Sequence, residues 1–180
     1  MLTVGDALPS FALKAAVSTE PGVELGVITS DALAGLWLVL FFWPLDFTAV
    51  CPTEILEFAR HGRDGDFRSR DTRVLGVSSD SAWAHVAWRQ RDPDLRDVPF
   101  PLAGDPDGDF ARAMGVYDDR AGLAMRATFI ADPEGIIRWA SVHDVLCGRS
   151  VLEVLRVLDA LRTGRATPCE WQAGEATLLV

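Results

Sequence analysis

Of the three cysteines in this chain, Cys51 stands where a thiol can do chemistry. It follows the apolar run Trp37-Leu38-Val39-Leu40-Phe41-Phe42, which has the length and β-rich composition of a fully buried strand. Pro44 ends that strand, and Cys51 sits just inside a helix that continues through Ile55 and Phe58. At a helix start, unsatisfied backbone N–H groups and the positive end of the macrodipole favour thiolate over thiol. Thr48 lies three residues earlier, so a helical first turn puts its hydroxyl on the face of the sulfur. Pro52 suits an early helical position, where the missing N–H has no partner to lose. These residue types, in this order, describe an activated and shielded nucleophile.

Cys147 and Cys169 form no CxxC and no zinc-like spacing with it, and an odd count makes a poor disulfide framework. Thiols held for redox work in a reducing cytoplasm fit best. The first six residues lack a basic segment leading into an apolar core, so no secretory signal is read. No stretch of about 18 apolar residues occurs, so no membrane span is expected. A formal charge of −9 disfavours nucleic acid and anionic membrane as partners. With 49% hydrophobic residues over 180, the chain can bury one sizeable core.

The elements that would position Cys51 alternate between strands and helices. A hairpin turning at Glu20-Pro21-Gly22 comes first, then a short helical turn over 31–35. After the strand over 37–42 and the helix from Cys51, a Gly- and charge-rich connection spans 61–73. A second buried strand over 74–78 leads into a helix capped by Asp80 or Ser81 that ends near Arg91. A strand over 100–103 and a helix over 110–114, closed by Gly115, follow. Asp132-Pro133-Glu134-Gly135 turns a hairpin between strands at 128–130 and 136–139. Ser150 and Glu153 form a capping box for an amphipathic helix over 151–161, stopped by Gly164. This alternation predicts a three-layer α/β domain with a central mixed β-sheet flanked by helices.

The segment Phe42-Trp43-Pro44-Leu45-Asp46-Phe47-Thr48-Ala49-Val50-Cys51-Pro52-Thr53-Glu54-Ile55 resembles the peroxidatic-cysteine signature of peroxiredoxins. The resemblance is to the typical two-cysteine type, in the alkyl hydroperoxide reductase C group. It implies a thioredoxin-like fold over residues 1–164, with a tail over 165–180 that carries a resolving cysteine. By the same resemblance, Arg126 in Ala124-Met125-Arg126-Ala127-Thr128-Phe129 takes the place of the arginine that faces the peroxidatic cysteine. Glu54 and Arg149 match positions that orient it, while His85 and Trp88 match a His-x-x-Trp pair read as packing and orientation. Cys147 replaces a residue that is usually apolar, just before Gly148-Arg149-Ser150, and reads as a buried, inert thiol.

The tail around Cys169, with Trp171, Gly174 and Thr177, resembles the resolving segment but departs from its common pattern. Most members place the resolving cysteine four residues before the tryptophan, where this chain has Thr167; Cys169 stands two before it. Two mechanisms therefore stay open: resolution of Cys51 by Cys169 of a partner subunit, or a one-cysteine cycle resolved by an external thiol. The implied activity is thiol-dependent reduction of hydrogen peroxide and organic hydroperoxides through a Cys51 sulfenic acid, with Pro44, Thr48 and Arg126 shaping the pocket. The implied partners are a thioredoxin-like or dedicated disulfide reductase and further copies of the chain, as a homodimer assembling into a decameric or dodecameric ring. No cofactor and no metal are called for, and no G-x-G-x-x-G is present. A disulfide reductase on the same fold would need a second motif cysteine where Glu54 stands. A holdase chaperone role stays open as a second activity. Residues 92–100 hold no Gly-Gly-Leu-Gly insertion and the tail carries no Tyr-Phe pair, so resistance to overoxidation is expected.

Overall fold

The computed structural model describes residues 1–179; Val180, the last residue of the expected tail, lies outside the described residues. The chain divides into two compact units, Met1–Gly148 and Arg149–Val180.

The first unit is built on a seven-stranded sheet in the order β2-β1-β5-β4-β3-β8-β9. β1 (Ala12–Ala16) and β2 (Leu25–Thr29) form the expected hairpin, antiparallel from Ala12 opposite Thr29 to Ala16 opposite Leu25. The helical turn α1 (Ser30–Leu33) is capped by the Thr29 hydroxyl. β3 (Trp37–Trp43) then runs parallel to β4 (Thr72–Ser78) and antiparallel to β8 (Arg126–Ala131). β5 (Leu102–Gly104) pairs parallel with β4 and antiparallel with β1, and β9 (Ile137–His143) closes the far edge against β8. The sheet is mixed, as the alternation of elements predicts.

The buried residues of β3 serve both sides of the sheet because successive side chains point to opposite faces. Phe41 stacks on Phe58 of α2 (Cys51–Arg63) at 4.3 Å, and Trp43 meets His85 of α3 (Ala82–Arg91) at 5.3 Å. On the opposite face, Leu38, Leu40 and Phe42 join Phe11, Met114 and Phe129 in one apolar cluster. There Phe110 of α4 (Asp109–Ala113) packs against Phe42 at 5.7 Å. With helices on both faces, the first unit has the three layers of a thioredoxin-like fold. Each fully buried aromatic of this kind contributes about 1.5–3 kcal/mol by area alone.

Several boundaries differ from the sequence reading. The connection after α2 contains a single 3-10 turn, Arg68–Arg70, and β4 begins two residues early, at Thr72. β5 starts at Leu102 rather than at position 100, since Pro101 has no N–H to give a ladder. A two-stranded ribbon of β6 (Tyr117–Asp118) and β7 (Leu123–Ala124) precedes β8, where the sequence reading has no strand.

The second unit holds α5 (Val151–Arg162) and the following segment. Ser150 caps α5 by accepting from the Glu153 N–H, as the capping box predicts. Within this unit the tail folds on itself: Leu178 N–H donates to Ala166 O at 2.8 Å, and the Trp171 indole donates to Glu175 O at 3.1 Å. Among the described residues no helix is long and apolar enough to cross a membrane.

Candidate active site

Cys51 is the first residue of α2 and is 1% exposed. Its helix begins without a side-chain cap on Val50, and Pro52 occupies the first turn. The Thr53 amide and hydroxyl both donate to Val50 O, at 3.1 and 2.6 Å. Glu54 places a buried carboxylate in the same turn, where the helix N-terminus favours negative charge.

Arg126 opens β8, at the sheet end where β3 finishes and α2 departs. It is 2% exposed, and its guanidinium joins three groups. One terminal nitrogen lies 3.6 Å from Cys51 Sγ and also donates to Glu54 Oε2 in a close ion pair. The other donates to Val145 O at 2.8 Å. Its Nε is buried with no hydrogen-bond partner among the described residues. A buried cation thus faces the sulfur, balanced by a buried carboxylate, with one N–H left to donate. Removing one charge of a buried pair is the costly way to break it.

The loop between β3 and α2 brings Pro44 and Thr48 toward the site along the chain, yet not in the way the spacing suggests. Pro44 is half-buried directly after Trp43. Thr48 is exposed and precedes the helix, and its hydroxyl donates to Leu45 O at 3.1 Å, so it is not on the first turn of α2. Phe47 holds a left-handed φ of 55° and rests against Trp88 at 5.6 Å.

What holds this loop is a buried polar network around Asp46, which sequence reasoning missed. Asp46 Oδ1 accepts from the Trp43 indole at 3.0 Å, and Oδ2 meets His85 Nδ1 at 2.6 Å. The Asp46 amide donates to Asp80 Oδ2 at 2.7 Å. Burial pushes the Asp80 carboxyl above the ordinary aspartate range, with the Asp46 charge adding to it; the Asp46 amide and Ser78 hydroxyl offset this only in part. His85 Nε2 lies 3.1 Å from Ala103 O, which can only accept, so that nitrogen carries a proton. His85 therefore holds the loop by hydrogen bonds as well as by packing. The signal available in the sequence was an aspartate between Leu45 and Phe47, since a charge in an apolar segment needs a partner.

Cys147 is exposed, not buried as its place at a usually apolar family position implies. A turn after β9, in which Cys147 N–H donates to Asp144 O and Leu146 N–H to Asp144 Oδ1, directs Val145 and Leu146 outward with it. Cys169 is exposed in the second unit, and Arg149 opens that unit. No group of three His, Cys, Asp or Glu side chains that could hold a metal occurs among the described residues. A cavity of about 620 Å³, bounded by Phe11, Lys14, Trp83 and Asp105 among others, is lined by none of Pro44, Thr48, Cys51 and Arg126.

A helix-start cysteine faced by a buried arginine, on a thioredoxin-like sheet, defines a thiol enzyme of peroxiredoxin type. Residues 4–140 match the sequence model of the AhpC/TSA family. Alkyl hydroperoxide reductase C of Mycobacterium tuberculosis is 42% identical over 186 residues, covering 99% of this chain and 94% of that protein. The solved Mycobacterium bovis AhpC superposes with a TM-score of 0.85 at 42% identity, covering 96% of this chain and 99% of that one. The reduced 2-Cys peroxiredoxin of Plasmodium vivax reaches a TM-score of 0.89 at 29% identity, covering 98% and 93%. The chain belongs to the AhpC/TSA family, in its alkyl hydroperoxide reductase C group.

Proposed function

We propose that this chain is a thiol-dependent peroxidase that reduces hydrogen peroxide and organic hydroperoxides at Cys51, in antioxidant defence. The observation that carries this reading is the Arg126 guanidinium, 3.6 Å from the Cys51 sulfur and buried with it. A Cys51 thiolate attacks the terminal peroxide oxygen, the O–O bond breaks, and water or an alcohol leaves as the sulfur becomes a sulfenic acid. Arg126 stabilises the thiolate and the charge developing on the leaving oxygen, its unpartnered Nε supplying a further donor. Pro44 shields the sulfenic acid, and Thr48 offers its hydroxyl to the substrate after turning from Leu45 O. Glu54 fixes Arg126 from one side, and Arg149 completes the same support.

Resolution falls to Cys169 of a partner subunit, on the tail over 165–180 that follows the catalytic domain over 1–164. A thioredoxin-like or dedicated reductase in the cytoplasm then reduces the disulfide, and homodimers assemble into a ring. The relatives' names, alkyl hydroperoxide reductase C and 2-Cys peroxiredoxin, support this cycle.

The test is one equivalent of hydrogen peroxide followed by a non-reducing gel and intact mass, with Cys51→Ser and Cys169→Ser alongside. A covalent dimer in the wild type, absent from both variants, is the expected result. A monomer that gains one oxygen on Cys51 and forms no dimer supports the one-cysteine cycle instead. Peroxide consumption undiminished in Cys51→Ser overturns the reading.

A further inference from the structure

Arg126 ties a second thiol to the active site. Its two terminal nitrogens reach Cys51 Sγ at 3.6 Å and Val145 O at 2.8 Å, so a single planar group spans from the sulfur to the segment carrying Cys147. The other flank of Cys147 lies beside the start of α2. A methyl group placed on Gly148 would lie 3.8 Å from Val50 Cγ1, one residue from Cys51, and 3.9 Å from Glu54 Oε1. Cys147 thus lies between Val145, whose carbonyl Arg126 binds, and Gly148, which lies beside Val50 and Glu54, and unlike Cys51 it is exposed. Its sulfur has one contact within hydrogen-bond range, the Gly148 carbonyl at 3.7 Å.

We infer that Cys147 provides a second, intrachain route for resolving oxidised Cys51, closing a Cys51–Cys147 disulfide where Cys169 of a partner subunit does not reach it. The inference rests on the Cys51 sulfenic acid proposed above. The Cys147 thiol sulfur attacks the sulfenic sulfur and an S–S bond forms. The sulfenic S–O bond breaks, and the hydroxyl leaves as water with the thiol's proton. Cys51 is reduced and Cys147 oxidised, so no oxidant beyond the original peroxide is needed. An external dithiol returns both to thiols.

Disulfide geometry needs the two Cα atoms within about 4.4–6.8 Å. Unwinding the first turn of α2 frees about four residues, each adding up to about 3.3–3.6 Å of reach. An intrachain route does not depend on protein concentration or on a second subunit.

The experiment uses the full chain as Cys169→Ser, which keeps Cys51 and Cys147, and as the double variant Cys147→Ser/Cys169→Ser. Each receives one equivalent of hydrogen peroxide and is then split between dimedone labelling and non-reducing peptide mass analysis. The expected result is a Cys169→Ser monomer that has lost two hydrogens, with the 51 and 147 peptides linked and dimedone labelling suppressed at least tenfold. The double variant keeps one added oxygen and labels fully at Cys51. A Cys169→Ser chain that labels at Cys51 as strongly as the double variant overturns the inference and leaves the peroxidase reading intact. A double variant that neither consumes peroxide nor labels at Cys51 overturns that reading and this inference with it.

Discussion

Replacing His85 with phenylalanine tests how firmly the loop before Cys51 is held. His85 is 0% exposed and the Asp46 side chain 1%, with 2.6 Å between Nδ1 and Oδ2. The substitution keeps an aromatic beside Trp43 but removes both ring hydrogen bonds. Asp46 keeps only the Trp43 indole on its carboxylate, and Ala103 O loses the donor it had from His85. Breaking one side of a buried, hydrogen-bonded pair costs about 3–5 kcal/mol. For a domain of this size, about 2–4 °C per kcal/mol places the fall in Tm at about 6–20 °C.

Calorimetry under reducing conditions reads that fall, and urea unfolding of His85→Phe, Asp46→Leu and the double variant separates pair from residue. Because the double variant leaves no buried charge behind, it recovers about 2 kcal/mol or more of the summed single losses. The same loosening reaches the sulfur five residues on: alkylation of Cys51, followed peptide by peptide, accelerates in His85→Phe while Cys147 and Cys169 keep their rates. A loss under about 1 kcal/mol, or additive single effects, refutes the idea that this pair anchors the loop.

Two further outcomes follow from the geometry. Gly104→Ala forces a Cβ to 2.6 Å from the backbone Asp80 O and Ala82 N, atoms that cannot swing aside, so it lowers stability by about 3 kcal/mol or more in urea unfolding. Burial alone would raise the Asp132 carboxyl; N–H donation from Ile136 and Glu134 and the Arg138 guanidinium outweigh it and hold that carboxyl below the ordinary range. A depressed folded value contributes stability that is present above the unfolded aspartate range and lost as pH falls through the folded value. The advantage of the wild type over Asp132→Asn, measured by urea unfolding from pH 7 downward, therefore shrinks in acid.

The parts of this molecule legible in the sequence are those whose physics is local. β3 could be read because a strand buried on both faces is apolar at every position from Leu38 to Trp43. The start of α2 could be read because Pro44 and Pro52 bracket a short loop and Ile55 and Phe58 share a face. The Asp46 network could not, since its partners His85 and Asp80 arrive from 39 and 34 residues away. Neither could the grip of Arg126 on Val145, because a backbone carbonyl has no side-chain signature. Cys147 misled for a related reason: a usually apolar family position says nothing of the aspartate-capped turn that sends it to the surface with Val145 and Leu146. The ribbon of β6 and β7, two residues each and joined through Asp119 and Arg120, is too short for any period to show.

These holds also fix which part of the site can yield. A sulfur at 1% exposure cannot meet a second sulfur while it remains the first residue of α2. Upstream, Asp46 is fastened through both carboxylate oxygens and its amide. Downstream, Ile55 and Phe58 are fully buried, and Phe58 stacks on Phe41. Between these anchors the structure is weak. Positions 47–49 are exposed and Phe47 sits at a left-handed φ that costs a non-glycine residue about 1–2 kcal/mol. Val50 provides no side-chain cap, and Pro52 gives no N–H. The first turn is fastened by Thr53 to Val50 O and by Arg126 to Glu54. Movement of Cys51 is therefore confined to residues 47–54, with Arg126 as its main latch. On the proposed cycle, the same arginine that faces the Cys51 sulfur would resist its departure, favouring the first half of that cycle and slowing the second.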